Sequence, residues 1–147
     1  MIALIVVFLL TIILISLTKV SKREIIASTI IGLVGGLILD YFFGQMIGFW
    51  SYSRHSYWSF DYWSVVTPMW GLFSIGTYCL WKKINWWTIP VSMIIYEVYG
   101  ILRHSWHYDA PWWLIPIGWI LMILTMVTLI RMINIFPVSK VKIENNN

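Results

Sequence analysis

Residues 25–43 read IIASTIIGLVGGLILDYFF, an apolar run broken only by small residues, three hydroxyls and one carboxylate. Its length matches the roughly 20 residues that an α-helix needs to cross the hydrocarbon of a bilayer. The carboxylate, Asp40, lies near the end of this run. An ionisable side chain in a membrane helix is costly unless it faces a protein partner, a cavity or a substrate path. The stretch therefore predicts a membrane-spanning helix with a polar site near one end.

Small or polar residues recur at every fourth position along this helix and continue beyond it, so that neighbours in the series share a face. Small residues at this spacing let a second helix approach closely. The third apolar segment offers a complementary face that includes Thr67 and Tyr78. We predict close helix contact at Gly32, Gly36, Gly44, Gly48, Gly71 and Ser74. Asp40 then faces protein and not lipid.

Composition places the whole chain in the membrane class. It has 147 residues, of which 60% are hydrophobic and 11% charged, against about a quarter charged in soluble domains. Eleven tryptophans fit a protein that meets the membrane interface, which this side chain favours. The single cysteine, Cys79, excludes an internal disulfide and argues against a cysteine metal site. The basic residues are dispersed, so no nucleic-acid partner is expected.

Apolar runs predict an all-α integral membrane fold with five spanning helices, at about residues 2–18, 25–43, 62–81, 86–102 and 112–133. We expect one domain over residues 1–136, followed by a polar tail at 137–147. The first segment lacks a basic leading region and is predicted to be a retained helix. Eight of the ten basic residues lie on one side, which predicts an external N-terminus and a cytoplasmic C-terminus in the cell membrane.

A second acidic residue, Glu97, indicates an internal repeat. Asp40 precedes the triplet Trp50-Ser51-Tyr52 by ten residues, and Glu97 precedes Trp106-His107-Tyr108 by nine. A proline and an apolar helix follow each triplet. We therefore predict a four-helix core made of two tandem hairpins, with the N-terminal helix packed peripherally. The tripeptide Arg-His-Ser also occurs twice, at 54–56 and 103–105, in a different register, and at most one alignment is right.

The acids allow structural and functional interpretations. Asp40 is either a carboxylate held by outer-loop tyrosines or Arg54, or part of an outward-facing cavity. Glu97 lies deeper and favours binding or proton handling over a structural tie to Arg103 or tyrosines. The candidate ligand-binding or proton-handling residues are Asp40, Glu97, His104, His55, Arg54, Arg103, Tyr96 and Tyr99. His104, His107 and Asp109 offer a metal alternative, but this spacing is common by chance, and we expect neither metal nor cofactor.

Two resemblances rest on these residues. With Asp40, Glu97, their two aromatic triplets and the Trp112-Trp113 pair, the chain resembles a family of small multi-spanning membrane proteins of spore-forming Firmicutes. That resemblance implies a topology and no activity, and this chain lacks the family's frequent Asp before the inner basic turn. Residues 48–52, Gly-Phe-Trp-Ser-Tyr, are also similar to lycopene-cyclase-type carotenoid proteins. Those carry paired glutamates after a proline, where this chain has Pro68-Met69-Trp70-Gly71, which argues against cyclase chemistry.

Function is predicted in outline only. The chain has no nucleophile elbow, phosphate loop, HExxH, CxxC or dinucleotide-binding glycine motif. We favour a non-enzymatic membrane protein whose outward-facing site binds a lipid, a small molecule or a partner helix, with homo-oligomers possible. The alternatives are an outer-leaflet lipid-modifying enzyme using Glu97 or Asp40 with His104, and a proton- or ion-coupled permease acting as an oligomer.

Overall fold

Helices dominate the protein, as the sequence predicts. The computed structural model describes residues 2–52, 57–103 and 106–135. The helices are α1 (Ile2–Thr18), α2 (Lys22–Leu39), α3 (Thr67–Ile84), α4 (Thr88–Arg103) and α5 (Leu114–Ile135). Two π-helical segments, Asp40–Met46 and Tyr62–Val66, continue α2 and precede α3, and a 3-10 turn, Asn85–Trp87, precedes α4. Two short strands, β1 (Trp50–Tyr52) and β2 (Trp106–Tyr108), complete the described part.

The second helix is longer than its apolar run. Ser21 caps it: its hydroxyl accepts from the Glu24 backbone N–H, and the Glu24 side chain accepts from the Ser21 N–H at 2.7 Å. This reciprocal capping box draws the charged residues of the first turn into the helix. With the π-helical continuation the helix runs from Lys22 to Met46. The predicted start of this helix at residue 25 was therefore too late, because the prediction placed the boundary after the charged residues 22–24.

The third helix occupies the centre of the fold and contacts each of the other four helices. α1 lies along it, where a Cβ added at Gly76 would be 4.0 Å from Thr11 and Leu14. Thr11 is only 4% exposed. Gly76 leaves room for α1 against α3, so α1 packs along that one helix. Side chains elsewhere on α1, such as Leu9 and Ile13, are exposed. The peripheral placement of the N-terminal helix stays a prediction.

A buried aromatic and aliphatic core joins α3 to α5, with Phe73, Tyr78 and Trp81 meeting Ile123 and Ile130. Two helices, Lys22–Met46 and Leu114–Ile133, are long and apolar enough to cross a membrane. A shorter apolar helix covers Val7–Thr18. The fold class is thus mainly α-helical.

A two-stranded antiparallel ribbon, which the sequence does not predict, pairs the two aromatic triplets. Trp50 lies opposite Tyr108, Ser51 opposite His107, and Tyr52 opposite Trp106. The Asp109 N–H donates to the Phe49 carbonyl at 3.0 Å and extends the pairing. Three-residue strands carry too little alternation to be seen in a sequence. The ribbon brings the two halves of the chain together beside Asp40, at what we call the Asp40 end.

The opposite end of the bundle, here called the Glu24 end, is held by charge. Lys82 lies 3.0 Å from the Glu24 carboxylate, and Tyr78 donates to the same group at 2.9 Å. Arg23 donates to the backbone carbonyl of Ile133. These contacts tie the start of α2 to the ends of α3 and α5.

Candidate functional site

Asp40 lies at the centre of a cage of aromatic hydrogen-bond donors and is fully buried, with 0% of its surface exposed. Its Oδ1 accepts from Trp50 Nε1 at 3.1 Å and from the Tyr52 hydroxyl at 2.8 Å. Its Oδ2 accepts from the Tyr62 hydroxyl at 2.7 Å and from Trp70 Nε1 at 2.8 Å. Both carboxylate oxygens are therefore satisfied, each by one indole and one phenol.

Local backbone geometry positions this cage. Asp40 begins one π-helical segment and Tyr62 begins the other. Such wide turns are rare and often occur at functional sites. Trp50 and Tyr52 belong to β1, and Trp70 belongs to α3. The donors thus come from three separate segments that meet at one carboxylate.

The phenol groups of Tyr52, in β1, and of Tyr57, five residues later, stay protonated and donate hydrogen bonds. Burial, followed by the negative charge of Asp40, raises the pKa of Tyr52 well above its ordinary value. The same two causes, burial first, raise the pKa of Tyr57. Tyr57 donates to the Trp50 carbonyl at 2.9 Å and so supports the cage from outside. Near neutral pH both phenols are therefore hydrogen-bond donors, and neither acts as a base.

Glu97 has a different environment. Its side chain is half-buried. Its Oε1 accepts from the Tyr108 hydroxyl and from Trp119 Nε1, each at 2.7 Å. Within the described part of the chain, Oε2 accepts no hydrogen bond. Among the described residues, Oε2 of Glu97 is thus left with room for a donor, whereas each oxygen of Asp40 already accepts two hydrogen bonds.

The two acids share a layout of donors. Each accepts from the tyrosine at the third position of its own triplet, Tyr52 for Asp40 and Tyr108 for Glu97. Each also accepts an indole N–H from the helix that follows the triplet. In these contacts none of the four donors to Asp40 bonds to Glu97, and neither of the two donors to Glu97 bonds to Asp40. The side chain of Trp106, the counterpart of Trp50, lies outside the described residues.

Several predicted site residues cannot be placed at either acid. Arg54, His55 and His104 lie outside the described residues, as do the side chains of Arg103 and Tyr99.

Tyr96 was predicted beside Glu97 and instead packs its ring on Phe73, 4.5 Å between centroids, and near Trp119 at 5.8 Å. It lines the core and not the carboxylate, because successive helical residues point in different directions. Among the described residues no group of three potential metal ligands occurs. Of the alternative metal set, His107 and Asp109 are both exposed.

Most of the predicted small-residue face lies where α2 meets α3. A Cβ at Gly32 would lie 2.5 Å from the Ser74 Cβ, and one at Gly36 would lie 2.2 Å from Trp70 Cγ. Gly71 faces α2, at 3.5 Å from Leu33 by the same construction. These glycines let α3 come close enough for Trp70 to reach Asp40.

The other two glycines serve the cage and the turn. A Cβ at Gly44 would lie 2.2 Å from the Tyr57 hydroxyl, so this position contacts the aromatic cage and not α3. Gly48 is outside any helix contact, since a Cβ there would meet nothing within 4 Å. Its φ of +71° instead makes the turn into β1. The prediction for Gly48 was wrong because the four-residue spacing outlasts the helix, which ends at Met46.

Sequence reasoning named the acids and missed most of their donors. Tyr62, Trp70 and Trp119 were not identified as partners, and neither was Glu24 as a link between helices. One signal was present: Trp70 follows Pro68 by two residues and Trp119 follows Pro116 by three. A tryptophan two or three residues after a proline near the start of the helix is therefore a feature that the two halves share.

Comparison with known proteins adds no family. No family model, no curated protein and no solved structure matches this chain. The predicted resemblances to a Firmicutes membrane family and to lycopene-cyclase-type proteins therefore stay predictions, and function has to be argued from the site.

Proposed function

We propose that the chain is a small multi-spanning protein of the cell membrane, crossed by all five helices. Large apolar side chains are exposed along α1, α2, α4 and α5, among them Leu9, Ile26, Ile38, Ile94 and Leu121. Soluble monomers seldom expose contiguous apolar surface on this scale, and a bilayer would cover it. The two long apolar helices support the same proposal.

Charge supports an orientation with the N-terminus outside and the C-terminus in the cytoplasm. Lys22 and Arg23 begin α2, Lys82 and Lys83 end α3, and Arg131 lies near the end of α5. The Lys82–Glu24 and Arg23–Ile133 contacts gather these termini at the Glu24 end. Basic residues favour the cytoplasmic side, so the Glu24 end would face the cytoplasm and the Asp40 end the outside.

Within this protein we propose that Glu97 is the binding site for a lipid, a small molecule or a partner helix. The observation that carries the proposal is the contrast between the two acids. Asp40 accepts four hydrogen bonds, whereas Glu97 is half-buried and its Oε2 accepts none from the residues that the structure describes. A saturated carboxylate stabilises the fold. A carboxylate with a spare acceptor can hold a ligand, and polar groups in membrane helices are rarely kept without such a use.

The shared donor layout supports the predicted duplication of two hairpins, α2–α3 and α4–α5. It favours the alignment of acid to Trp-x-Tyr triplet over the Arg-His-Ser alignment, because the triplets pair with each other across β1 and β2. A parallel repeat of this kind places its axis along the membrane normal. In this proposal the first unit, around Asp40, became a structural anchor, and the second, around Glu97, retained an open site.

The test is native mass spectrometry of the protein taken with its surrounding lipids into nanodiscs. We expect a specifically retained ligand in the wild type that is lost in Glu97→Gln. Glu24→Gln is the matched control, since it makes the same chemical change at the Glu24 end and should keep the ligand. Near-ultraviolet circular dichroism checks that both variants remain folded. Equal retention in wild type and Glu97→Gln would reject the site.

A further inference from the structure

The carboxylates of Glu24, Asp40 and Glu97 lie in the helical segments named above, and they differ in how their charge is compensated. Glu24 has a cation, with Lys82 at 3.0 Å and 3.2 Å from its two oxygens, and a phenol from Tyr78. Asp40 has no cation beside it within the described ranges, and it receives four neutral donors, two on each oxygen. Glu97 receives two neutral donors, both on one oxygen. Counting the described residues alone, the charge of Glu97 is the least compensated of the three.

An under-compensated carboxylate near hydrocarbon needs both a donor and a positive charge. An unpaired ionised group is strongly disfavoured in an apolar environment. Neither a hydrogen-bond donor to Oε2 of Glu97 nor a cation beside the carboxylate occurs among the described residues, so Oε2 can accept a hydrogen bond from a ligand. A ligand that supplies an N–H and a positive charge at once would satisfy the site, through a charge-assisted hydrogen bond.

These requirements select among ligand classes. A phosphate or carboxylate would be repelled, and a neutral hydroxyl supplies a donor without charge. A quaternary ammonium supplies charge without a donor. A guanidinium binds best through two parallel bonds to both oxygens, but Oε1 of Glu97 already accepts two. A primary ammonium has three donors on a compact charge and needs only the free oxygen.

We propose that the ligand of Glu97 carries a primary ammonium group, supplied by an ethanolamine-type lipid headgroup or by a soluble amine. This inference rests on the proposed function and names its ligand class.

The geometry of α4 puts Glu97 within reach of a headgroup. Glu97 lies six residues before Arg103, where α4 ends, which is about 9 Å along the axis. α4 has 16 residues and is about 24 Å long, less than the roughly 30 Å of hydrocarbon. A short helix thins the bilayer around it. Tyr108 on the ribbon already reaches Glu97, so a group at the depth of the ribbon can reach it too.

The test compares lipids that differ only in the headgroup. Wild type, Glu97→Gln and Glu24→Gln are placed in nanodiscs containing equal amounts of phosphatidylethanolamine and phosphatidylcholine, and retained lipid is counted by native mass spectrometry. We expect wild type and Glu24→Gln to retain phosphatidylethanolamine at least about tenfold over phosphatidylcholine, the size expected for one hydrogen bond to a charged group. Glu97→Gln should lose that preference.

A second measurement begins with a competition on the wild type, and this competition does not depend on the folding of Glu97→Gln. Free ethanolamine should displace the retained lipid from wild type, and free choline should not. If neither lipid is retained but ethanolamine itself binds in a Glu97-dependent way, the ammonium site stands with a soluble source. Equal retention of the two lipids with no binding of ethanolamine, or a preference that survives Glu97→Gln, overturns the inference.

The two proposals can fail separately. A Glu97-dependent ligand without an amine, found in nanodiscs made from the native membrane, would overturn the ammonium inference and leave the binding site in place. Absence of any Glu97-dependent ligand in both experiments would overturn both.

Discussion

Asp40→Asn tests whether the donor cage stabilises the protein. Oδ1 faces Trp50 and Tyr52, and Oδ2 faces Trp70 and Tyr62. The asparagine NH₂ must replace one of these oxygens and, in either orientation, it meets an indole N–H. An indole can only donate, whereas a phenol can rotate and accept. One buried indole N–H is therefore left without an acceptor whichever way the amide turns.

The expected cost of Asp40→Asn follows from this geometry. A buried donor without a partner costs about 1–3 kcal/mol. The remaining bonds change from charge-assisted to neutral, a loss of about 1 kcal/mol each, part of which is offset by the lower cost of burying a neutral group. We expect the free energy of unfolding to fall by about 3–5 kcal/mol, a large share of the 5–15 kcal/mol typical of a domain.

A double-mutant cycle with Trp70→Phe makes the prediction specific. In Asp40→Asn/Trp70→Phe the amide can turn its NH₂ toward position 70, where no N–H remains to oppose it. The double variant should therefore be less destabilised than the sum of the single variants, by about 1–3 kcal/mol. Trp113→Phe is the matched control, because Trp113 is 53% exposed and is not one of the four donors to Asp40, so its effect should be additive.

Unfolding would be followed by circular dichroism during sodium dodecyl sulfate titration in mixed micelles. Two results would refute the reasoning. One is an Asp40→Asn protein within about 0.5 kcal/mol of wild type, the level of an ordinary surface substitution. The other is a cycle with Trp70→Phe that is additive, since the indole at position 70 would then not oppose the amide.

Two further predictions use the same titration and a pH series. Gly36→Ala should lower stability by about 1–3 kcal/mol, since its Cβ would lie 2.2 Å from an indole carbon, whereas Gly35→Ala, with nothing within 4 Å, should be neutral or stabilising. Equal effects at Gly35 and Gly36 would contradict the close approach. Burial raises the pKa of Tyr52 and Tyr57, so the contribution of these two phenols to stability should be constant below pH ~10 and be lost as pH rises through their folded-state pKa values. Ultraviolet detection of phenolate checks this, and full titration near pH 10 in the folded protein would contradict it.

Part of the candidate site was accessible from the sequence. The spacing of small residues around Asp40 predicted that it faces protein, and the structure places it against α3 and the cage. The outer-loop tyrosines appeared in one of the two interpretations of Asp40, and Tyr52 is a donor to it. Arg54, the other partner named there, lies outside the described residues.

The donors from α3 and α5 were not accessible. Trp70 and Trp119 lie 30 and 22 residues beyond the acids that they contact. No local periodicity relates residues that far apart. From the sequence, both tryptophans are as consistent with membrane-interface anchors as with donors to the acids. Tyr62 depends in addition on a π-helical turn, which has no recognised sequence signature here.

The sequence by itself determined the helical class, the existence of two acids in apolar segments and the two aromatic triplets that follow them. Hydrophobic run length, small-residue spacing and composition are local properties, so they can be read without knowing which helices are neighbours. Only the tertiary structure decided that the triplets pair as a ribbon and that α3 is the central helix. It also decided that Asp40 accepts four hydrogen bonds, whereas in the described part of the chain only one oxygen of Glu97 accepts any. A carboxylate's spare capacity depends on every donor that the fold brings within about 3 Å, and those donors come from segments far apart in the chain.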